Sequence, residues 1–456
     1  MMFLRNFFGK NFTDKDDDDE NRAASDQQLI STKVVSIDFE GLKRTEHDII
    51  HELVKPILNA TNLEETLSRV NFVRQRFYEL GLFRNVQVSV GTDTKSETQN
   101  DDEPINLSIS FNVDETRRYA GGVYISGNHN DASGNLELRS PNLFGRGEEI
   151  RCQFERTLRY YSSWATTFSK PLIWTPWKSL RSNIEFTVMQ LSKYCPWSGH
   201  NEVNRNLQTT LKIQPNLRHL HQFQCETSWR YLTAISESTN VDFEIVEQFG
   251  HSLKTSLSHH YTYDNRDCSV MPSRGTLIKT INEYAGFQRN GVSFLKHEIQ
   301  LQHNLSSFLQ LSLKGGILKN FNNVTVSDKF FLGGPLNLRG FEMFGVGPHG
   351  DQNFSSLGAN KYWTGALHLY CPLPLSNSSL DRLLQLHAFI NTGSISNKLE
   401  DLYQKSNLRL SYGAGLVCTV GRYARLELNY SLPIWFNQKS DKLHKGIQFG
   451  IGLSYV

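Results

Sequence analysis

The sequence predicts an all-β transmembrane barrel of about sixteen antiparallel strands, preceded by one small α/β module. From about residue 118 onward, polar and apolar residues alternate with a period of two in about sixteen segments of roughly 9–11 residues, which is the length that a tilted strand needs to cross a bilayer. Before that point the pattern is one of helices and strands. No apolar run reaches the ~18 residues that a membrane helix needs.

The alternation is clear in residues 150–155, where Ile150, Cys152 and Phe154 share one face and the residues between them are polar. A soluble β-sandwich would also alternate, but its strands are typically about five or six residues long. The longer segments therefore favour a membrane barrel, which we place at residues 118–456, over a soluble all-β binding protein.

Residues 33–115 predict a module with the order β-α-α-β-β. Asn62, with Glu65 three residues later, predicts a capping box at the start of the second helix. Leu67, Val70 and Phe77 recur at helical spacing and are expected at the centre of the core. The five elements of the module are expected at 34–39, 47–58, 63–80, 83–90 and 105–113. Before the module, residues 1–32 contain an acidic stretch and predict a disordered tail.

One loop is far longer than the others. It covers residues 320–360, before a strand at 361–371, and carries Arg339 between apolar and glycine residues: Leu338, Gly340 and Phe341. Because an arginine cannot lose its proton and needs partners for five donors, we expect this loop to fold into the barrel with Arg339 as its anchor. The alternative is a surface loop with a solvated arginine.

Other patterns point away from catalysis and cofactors. The glycines from Gly345 to Gly350 fit GxGxxG, but no strand precedes them and no helix follows, so a dinucleotide site is not expected. The six cysteines and fifteen histidines have no metal-ligand spacing. The net charge of +2 favours no nucleic acid. The N-terminus lacks the apolar core of a secretory signal. We therefore expect no metal, no cofactor and no enzymatic activity.

Leu338-Arg-Gly-Phe341 resembles the [VIL]RG[FY] motif in the sixth outward loop of the POTRA-plus-barrel outer-membrane insertases, the bacterial surface antigen superfamily. Residues 142–147 resemble that family's first strand-to-strand turns, and residues 264–275 resemble its pattern before the ninth barrel strand. One POTRA-like module without a secretory signal is most similar to the family's mitochondrial branch, the barrel subunits of the sorting and assembly machinery.

The resemblance implies a protein of the mitochondrial outer membrane, with its N-terminal module in the intermembrane space. Its implied function is the insertion of β-barrel precursors by strand templating at a lateral gate; the alternative is a protein-conducting or metabolite pore. The implied partners are porin-type and translocase barrel precursors, metaxin-like accessory subunits and the lipid bilayer, with the inner-membrane organising complex as a further candidate.

The resemblance also implies site residues. In the family, acidic wall residues often hold the loop arginine. The corresponding strands here carry Asn391, between Phe389 and Gly393, and His368, so we expect neutral hydrogen bonds and aromatic stacking without a clean ion pair. The last strand, at 445–456, resembles the sorting signal of mitochondrial barrels through Gln448, Gly450, Leu453 and Tyr455. The gate between this strand and the first, at 118–127, is expected at the glycines that weaken strand pairing: Gly121, Gly122, Gly446, Gly450 and Gly452.

Overall fold

The computed structural model describes residues 31–92, 104–127, 132–158, 161–173, 181–235, 241–288, 291–373, 383–420 and 424–452. It divides into two compact units. The first comprises Met1–Ala120, Ser140–Glu149 and Ile173–Thr175, and the second comprises the rest of the chain. None of the helices within the described ranges is long and apolar enough to span a bilayer. The acidic tail expected at 1–32 lies outside the described residues except at its end.

The first unit contains the predicted β-α-α-β-β module, and the structure confirms the order of its elements. The central strand of its three-stranded sheet is the last one in the sequence, which pairs in parallel with the first strand and antiparallel with the second. The elements are β1 (Thr32–Glu40), α1 (His47–Leu58), α2 (Leu63–Glu79), β2 (Phe83–Thr92) and β3 (Ile105–Glu115).

The two helices bury apolar faces against this sheet. Val70, Val73 and Phe77 of α2 are buried at helical spacing, and the Phe77 ring packs edge-on against Phe111 of β3 at 5.9 Å between centroids. The expectation that Leu67 is central is wrong, because its side chain is 43% exposed. The buried stripe of α2 passes through Thr66 instead, one position earlier, and a shift of one position turns a side chain by about 100° around a helix.

Asn62 caps α2, as the sequence predicts. Its side-chain oxygen accepts a hydrogen bond from the Glu65 backbone N–H at 2.7 Å. The Glu65 carboxylate accepts from the backbone N–H of Thr61 at 2.9 Å, rather than from Asn62, so the return bond of the expected capping box is displaced by one residue. Gly81 follows the helix with a φ of +66°, a conformation that glycine adopts without steric cost.

The second unit contains a sheet of sixteen strands, and its order confirms the predicted barrel. Neighbouring strands follow one another in the sequence, and the first and last are the two ends of the order. The strands are β4 (Ala120–Gly127), β5 (Ala132–Ser140), β6 (Glu149–Thr157), β7 (Ser162–Pro171), β8 (Arg181–Cys195), β9 (His200–Asn216), β10 (His219–Ala234), β11 (Gly250–Asp264), β12 (Thr276–Ala285), β13 (Ser293–Asn304), β14 (Leu309–Asn322), β15 (Lys361–Pro372), β16 (Leu384–Ser396), β17 (Arg409–Val420), β18 (Ala424–Trp435) and β19 (Gly446–Gly452). Several are longer than predicted; β9 has 17 residues.

Burial in these strands is the reverse of that in a soluble sandwich. Phe223 of β10 is 42% exposed, whereas Ser228 and Arg230 on its other face are buried. Cys152 and Phe154 of β6 are also exposed, but so are Arg151 and Gln153 between them, so this strand does not show the contrast between its two faces. Apolar residues outside and polar residues inside are the pattern of a barrel surrounded by lipid, so the alternative of a soluble β-sandwich is excluded.

Within the described residues, the connections between barrel strands contain one short helix and three 3-10 turns. The helix α3 (Phe243–Val246) lies between β10 and β11, and a 3-10 turn (Val326–Asp328) lies near the start of the long connection between β14 and β15. That connection runs from residue 323 to residue 360, close to the predicted 320–360. The other two turns, Glu400–Tyr403 and Lys405–Asn407, lie between β16 and β17.

Candidate functional site: the Arg339 loop and its anchors

The Arg339 loop (residues 323–360) folds back onto the barrel wall. Leu332, Leu338, Phe341 and Val346 are buried and share one apolar cluster with wall residues. Fully burying an aliphatic or aromatic side chain of this size stabilises a fold by about 1.5–3 kcal/mol. The cluster therefore holds the loop strongly. Its wall residues include Phe294, Leu318, Tyr362 and Ile395.

Two glycines make this path possible. Gly340 has a φ of +88°, and a Cβ at this position would lie 3.2 Å from the Ser411 Cβ. At Gly350 a Cβ would lie 2.1 Å from the Asp242 carboxyl carbon, so only glycine leaves room for that side chain. The GxGxxG pattern is thus explained by a close turn of the loop rather than by a phosphate site.

The guanidinium of Arg339 is anchored by an ion pair with Glu427 of β18. Its Nη2 lies 2.9 Å and its Nε 3.2 Å from Glu427 Oε2, and the two side chains are 0% and 1% exposed. The other carboxylate oxygen of Glu427 pairs with Arg425, which also donates to the Tyr370 hydroxyl at 2.6 Å. The expectation of an anchor without a clean ion pair is therefore wrong, and so is the solvated surface arginine.

Glu427 was not predicted, because the family pattern points only to the strands that carry His368 and Asn391. A signal was present in β18, where Arg425 and Glu427 alternate with leucines that are expected to face lipid. Charged residues on the inner face of a membrane strand need partners within the barrel. Arg339 is such a partner.

Asn391 and Ser411 hold the backbone of Arg339 rather than its guanidinium. The Ser411 hydroxyl donates to the Arg339 carbonyl oxygen, and the Asn391 amide, oriented with its oxygen towards the loop, accepts from the Arg339 N–H at 2.6 Å. The expected aromatic contact is present, with the Arg339 guanidinium carbon 5.0 Å from the centroid of the Phe389 ring. Gly393 lies on the same strand as Asn391, and a Cβ added to Gly393 would lie 3.5 Å from the Leu332 side chain of the loop.

His368 reaches the ion pair through other side chains. Its Nδ1 lies 3.0 Å from Nε2 of His387, and Nδ1 of His387 lies 2.9 Å from the amide oxygen of Asn429. The Asn429 amide nitrogen then donates to Glu427 Oε2 at 2.8 Å. A buried hydrogen-bonded row across three strands therefore supports the carboxylate that binds Arg339.

The loop is also bonded to the last strand and to the connection before it. The side-chain amide of Gln448 in β19 accepts from the Gly340 N–H at 2.8 Å and donates to the Phe341 carbonyl oxygen at 2.9 Å. Backbone hydrogen bonds join Glu342 to Lys442 at 3.0 Å and Gly340 to His444 at 3.0 Å. The conformation of the Arg339 loop and the position of β19 are thus physically linked.

A second buried ion pair holds the start of the loop. Asp328 accepts from Arg230 of β10 at 2.8 Å, and its carbonyl oxygen accepts from Lys296 of β13 at 2.9 Å. Asp328 and Thr325 also form a capping box around the 3-10 turn. The two side chains of the ion pair are buried, so the loop has a charged anchor at each of two places on the wall.

A third anchor is Asp242, in the connection between β10 and β11. Its carboxylate accepts from the backbone N–H groups of Gln352, Asn353 and Ser355 at 2.8–3.0 Å. Burial would raise the pKa of Asp242, but these hydrogen bonds outweigh it and hold the pKa below the ordinary aspartate value. No local pattern predicts this anchor, since the residues that meet are about 110 positions apart.

Residues 142–455 match the model of the Omp85 superfamily domain. The chain belongs to the Omp85 superfamily. It is 34% identical over 468 residues to the Sorting and assembly machinery component 50 homolog B of Xenopus laevis, covering 98% of this chain and 97% of that protein. It is 34% identical to the human homolog over 449 residues, covering 94% and 92%, and 28% identical to the SAM50-like protein CG7639 of Drosophila melanogaster, covering 94% and 96%.

The fold of this Omp85 chain is similar to that of a solved bacterial protein. The crystal structure of BamA from Haemophilus ducreyi lacking POTRA domains 1–3 aligns with a TM-score of 0.72 and 15% sequence identity, covering 92% of this chain and 85% of that one. At this identity the likeness supports the barrel architecture alone.

The glycines predicted for the gate of this Omp85 barrel lie in its two end strands. Gly121 and Gly122 are in β4, and Gly446, Gly450 and Gly452 are in β19. A Cβ on Gly121 would lie 2.8 Å from the Glu137 carbonyl oxygen of the neighbouring strand. Of the residues predicted for the sorting signal, Gln448 and Gly450 are described, whereas Leu453 and Tyr455 lie outside the described residues.

Proposed function

We propose that this Omp85 protein inserts and assembles β-barrel precursors in the mitochondrial outer membrane, with client strands pairing at a lateral gate between β4 and β19. The curated relatives that match over nearly the whole chain are named as components of the sorting and assembly machinery. The proposal of a gate at this position is supported by the pair of hydrogen bonds between Gln448 of the last strand and the Arg339 loop.

The physical need for such a gate follows from the bilayer. A client strand that enters lipid alone leaves its N–H and C=O groups without partners, at a cost of several kcal/mol each. A free strand edge removes that cost, because the client can pair by β-augmentation as it enters. In the present fold β4 and β19 are the two ends of the sheet order, and glycines in both weaken their hold on neighbouring strands.

In this proposal the Arg339 loop controls that edge. Its central segment is bonded to β18 through Glu427, to β19 through Gln448 and to the connection between them through Lys442 and His444. A docked loop therefore stabilises the last two strands. A client strand that displaces β19 must break the bonds to Gln448 while the rest of the loop stays docked on the wall, so a loop that docks poorly should slow assembly.

Insertion of this kind makes and breaks no covalent bond, so the protein is not an enzyme. Its clients in this proposal are porin-type and translocase barrel precursors, with metaxin-like subunits as accessory partners. The module at residues 33–115 faces the intermembrane space, where clients arrive. A permanently open pore is disfavoured, because the Arg339 loop is held to the wall by two buried ion pairs.

Site-specific photocrosslinking tests the gate. A photoreactive residue replaces Val123 of β4 or Ile447 of β19, both of which are exposed, and a matched control replaces Leu257, an exposed residue of β11. We expect a radiolabelled barrel precursor arrested during assembly to crosslink at the first two positions through its final strand. Equal crosslinking at all three positions would argue against lateral entry at this seam, and client passage without assembly would favour the pore.

A further inference from the structure

Three side chains of types that commonly ligate metal ions meet at the end of the β8–β9 hairpin. Cys195 is the last residue of β8, His200 is the first of β9, and the two are directly opposite in the strand register. Glu202 lies two residues further along β9, on the same face as His200. The thiol sulfur, one imidazole nitrogen and one carboxylate oxygen all lie within 4.8 Å of one another.

This cluster is buried, and three of its polar atoms lack hydrogen-bond partners. His200 is 2% exposed and Glu202 is 3% exposed, and Cys195 is also buried. Neither ring nitrogen of His200 makes a hydrogen bond of normal geometry, although the Ser198 backbone lies near the ring, and Oε1 of Glu202 has no hydrogen-bond partner. The nearest cation, Lys193, is 4.0 Å from the other Glu202 oxygen and is half-exposed. Buried polar atoms without partners are costly and uncommon, and here three of them belong to two adjacent metal-binding side chains.

We propose that Cys195, His200 and Glu202 bind one Zn²⁺ ion. A thiolate, an imidazole and a carboxylate are the three ligand types that zinc prefers, and three protein ligands leave a fourth tetrahedral position for water. Bonds of about 2.0–2.3 Å bring tetrahedral ligand atoms to roughly 3.3–3.8 Å from one another. The present spacing therefore requires side-chain movements of about 1 Å, within the range of rotamer adjustment.

The ion would act on the Arg339 loop through the hairpin turn between its ligands. Ser198 in that turn donates to the Ser356 carbonyl oxygen at 2.6 Å, and the Ser356 N–H donates to the Trp197 carbonyl oxygen at 2.8 Å. The Trp197 ring packs edge-on against Phe344 of the loop at 4.6 Å. A metal that joins both strands of the hairpin at its end restrains this turn, and with it the loop segment from 344 to 356.

The test uses the full chain, purified in detergent and freed of metal with a chelator. Zinc is added in competition with a chromophoric chelator, and cobalt(II) is added separately to detect a thiolate-to-metal charge-transfer band. We expect one equivalent of zinc, together with that band. Cys195→Ser, His200→Gln and Glu202→Gln should each weaken binding by more than about tenfold, since even outer-shell partners of a metal contribute about 10–100-fold. Cys225→Ser, which alters an exposed cysteine of β10, is the matched control.

A measurement on the unaltered chain covers the case in which the variants fail to fold. The rate of alkylation at Cys195, measured by mass spectrometry relative to Cys225, should fall when zinc is added, because the metal engages the thiolate. Absence of stoichiometric binding, zinc affinity unchanged in Cys195→Ser, or an alkylation ratio that zinc leaves unchanged would each overturn the proposal. These outcomes do not bear on client insertion, which is measured separately.

Discussion

Replacing Arg339 by alanine removes one of the three anchors of the loop and leaves the wall residues unchanged. In the native protein Arg339, Arg425 and Glu427 form a buried group with a net charge of +1. Without Arg339 the remaining Arg425–Glu427 pair is neutral, and Asn429 still donates to the carboxylate. We therefore expect Arg339→Ala to free the loop from β18 without unfolding the barrel.

The size of the effect follows from the lost contacts. Breaking a buried ion pair costs about 3–5 kcal/mol, mainly because the remaining charge is left without a partner. Here Glu427 keeps two of its partners, so the lower end, about 3 kcal/mol, applies. A change of about 1.4 kcal/mol is tenfold in an equilibrium constant, so the docked state of the loop should lose roughly 100-fold relative to the undocked state. Arg339→Lys should recover only part of this, because an ammonium group lacks the planar fork.

The assay is the assembly of a radiolabelled barrel precursor by isolated mitochondria that carry each variant at matched protein level. Chymotrypsin digestion reports loop docking, since its cleavage sites in the loop survive the substitution. Arg218→Ala, at an exposed turn residue, is the control for loss of a positive charge. Assembly and loop protection in Arg339→Ala equal to those of Arg218→Ala would refute the proposal that the ion pair anchors the loop for function.

Three further predictions concern the wall, the loop backbone and the small module. Glu427→Gln should be more damaging than Arg339→Ala, because it leaves two buried guanidinium groups without their carboxylate; the level of folded barrel, read by heat-dependent gel mobility, should fall. Gly340→Ala should slow client assembly by roughly tenfold, since a left-handed φ costs a residue with a Cβ about 1–2 kcal/mol; an unchanged rate would show that the turn can relax. Residues 33–115, produced alone, should fold by circular dichroism. Burial would raise the pKa of Glu115 in this module, but backbone hydrogen bonds from residues 43–45 lower it to about 2. The ionised carboxylate therefore stabilises the module at pH values above its ordinary pKa of 4.5, and this stability is lost as the pH falls towards about 2. Glu115→Gln should flatten that dependence.

The strand pattern was readable from the sequence because a barrel strand depends on local chemistry. Each residue faces either lipid or the interior, so the period of two survives in segments such as 222–231 and 295–303. The small module was equally readable from its caps and helical spacing. Leu67 was placed wrongly, because spacing defines an apolar stripe only to within one position and its packing against the sheet decides the rest.

The partners of Arg339 were not readable in this way. The arginine itself signalled its need for partners, and Phe389 and Asn391 were found near it, but Glu427 lies 88 positions further along the chain. Asp328 with Arg230, and Asp242 with residues 352–355, are separated by comparable distances in sequence. No local period encodes such pairs.

The sequence by itself therefore determined the class of fold, the number of strands, the place of the long loop and the residue in it that required burial. Alternation, capping and the cost of burying an arginine are properties of short segments, and the sequence carries them directly. Only the tertiary structure decided which carboxylate meets Arg339, how Gln448 joins the loop to the last strand, and that Cys195, His200 and Glu202 share one buried space. These contacts depend on strand register and on the path of a loop across the wall, which are set by the packing of the whole barrel.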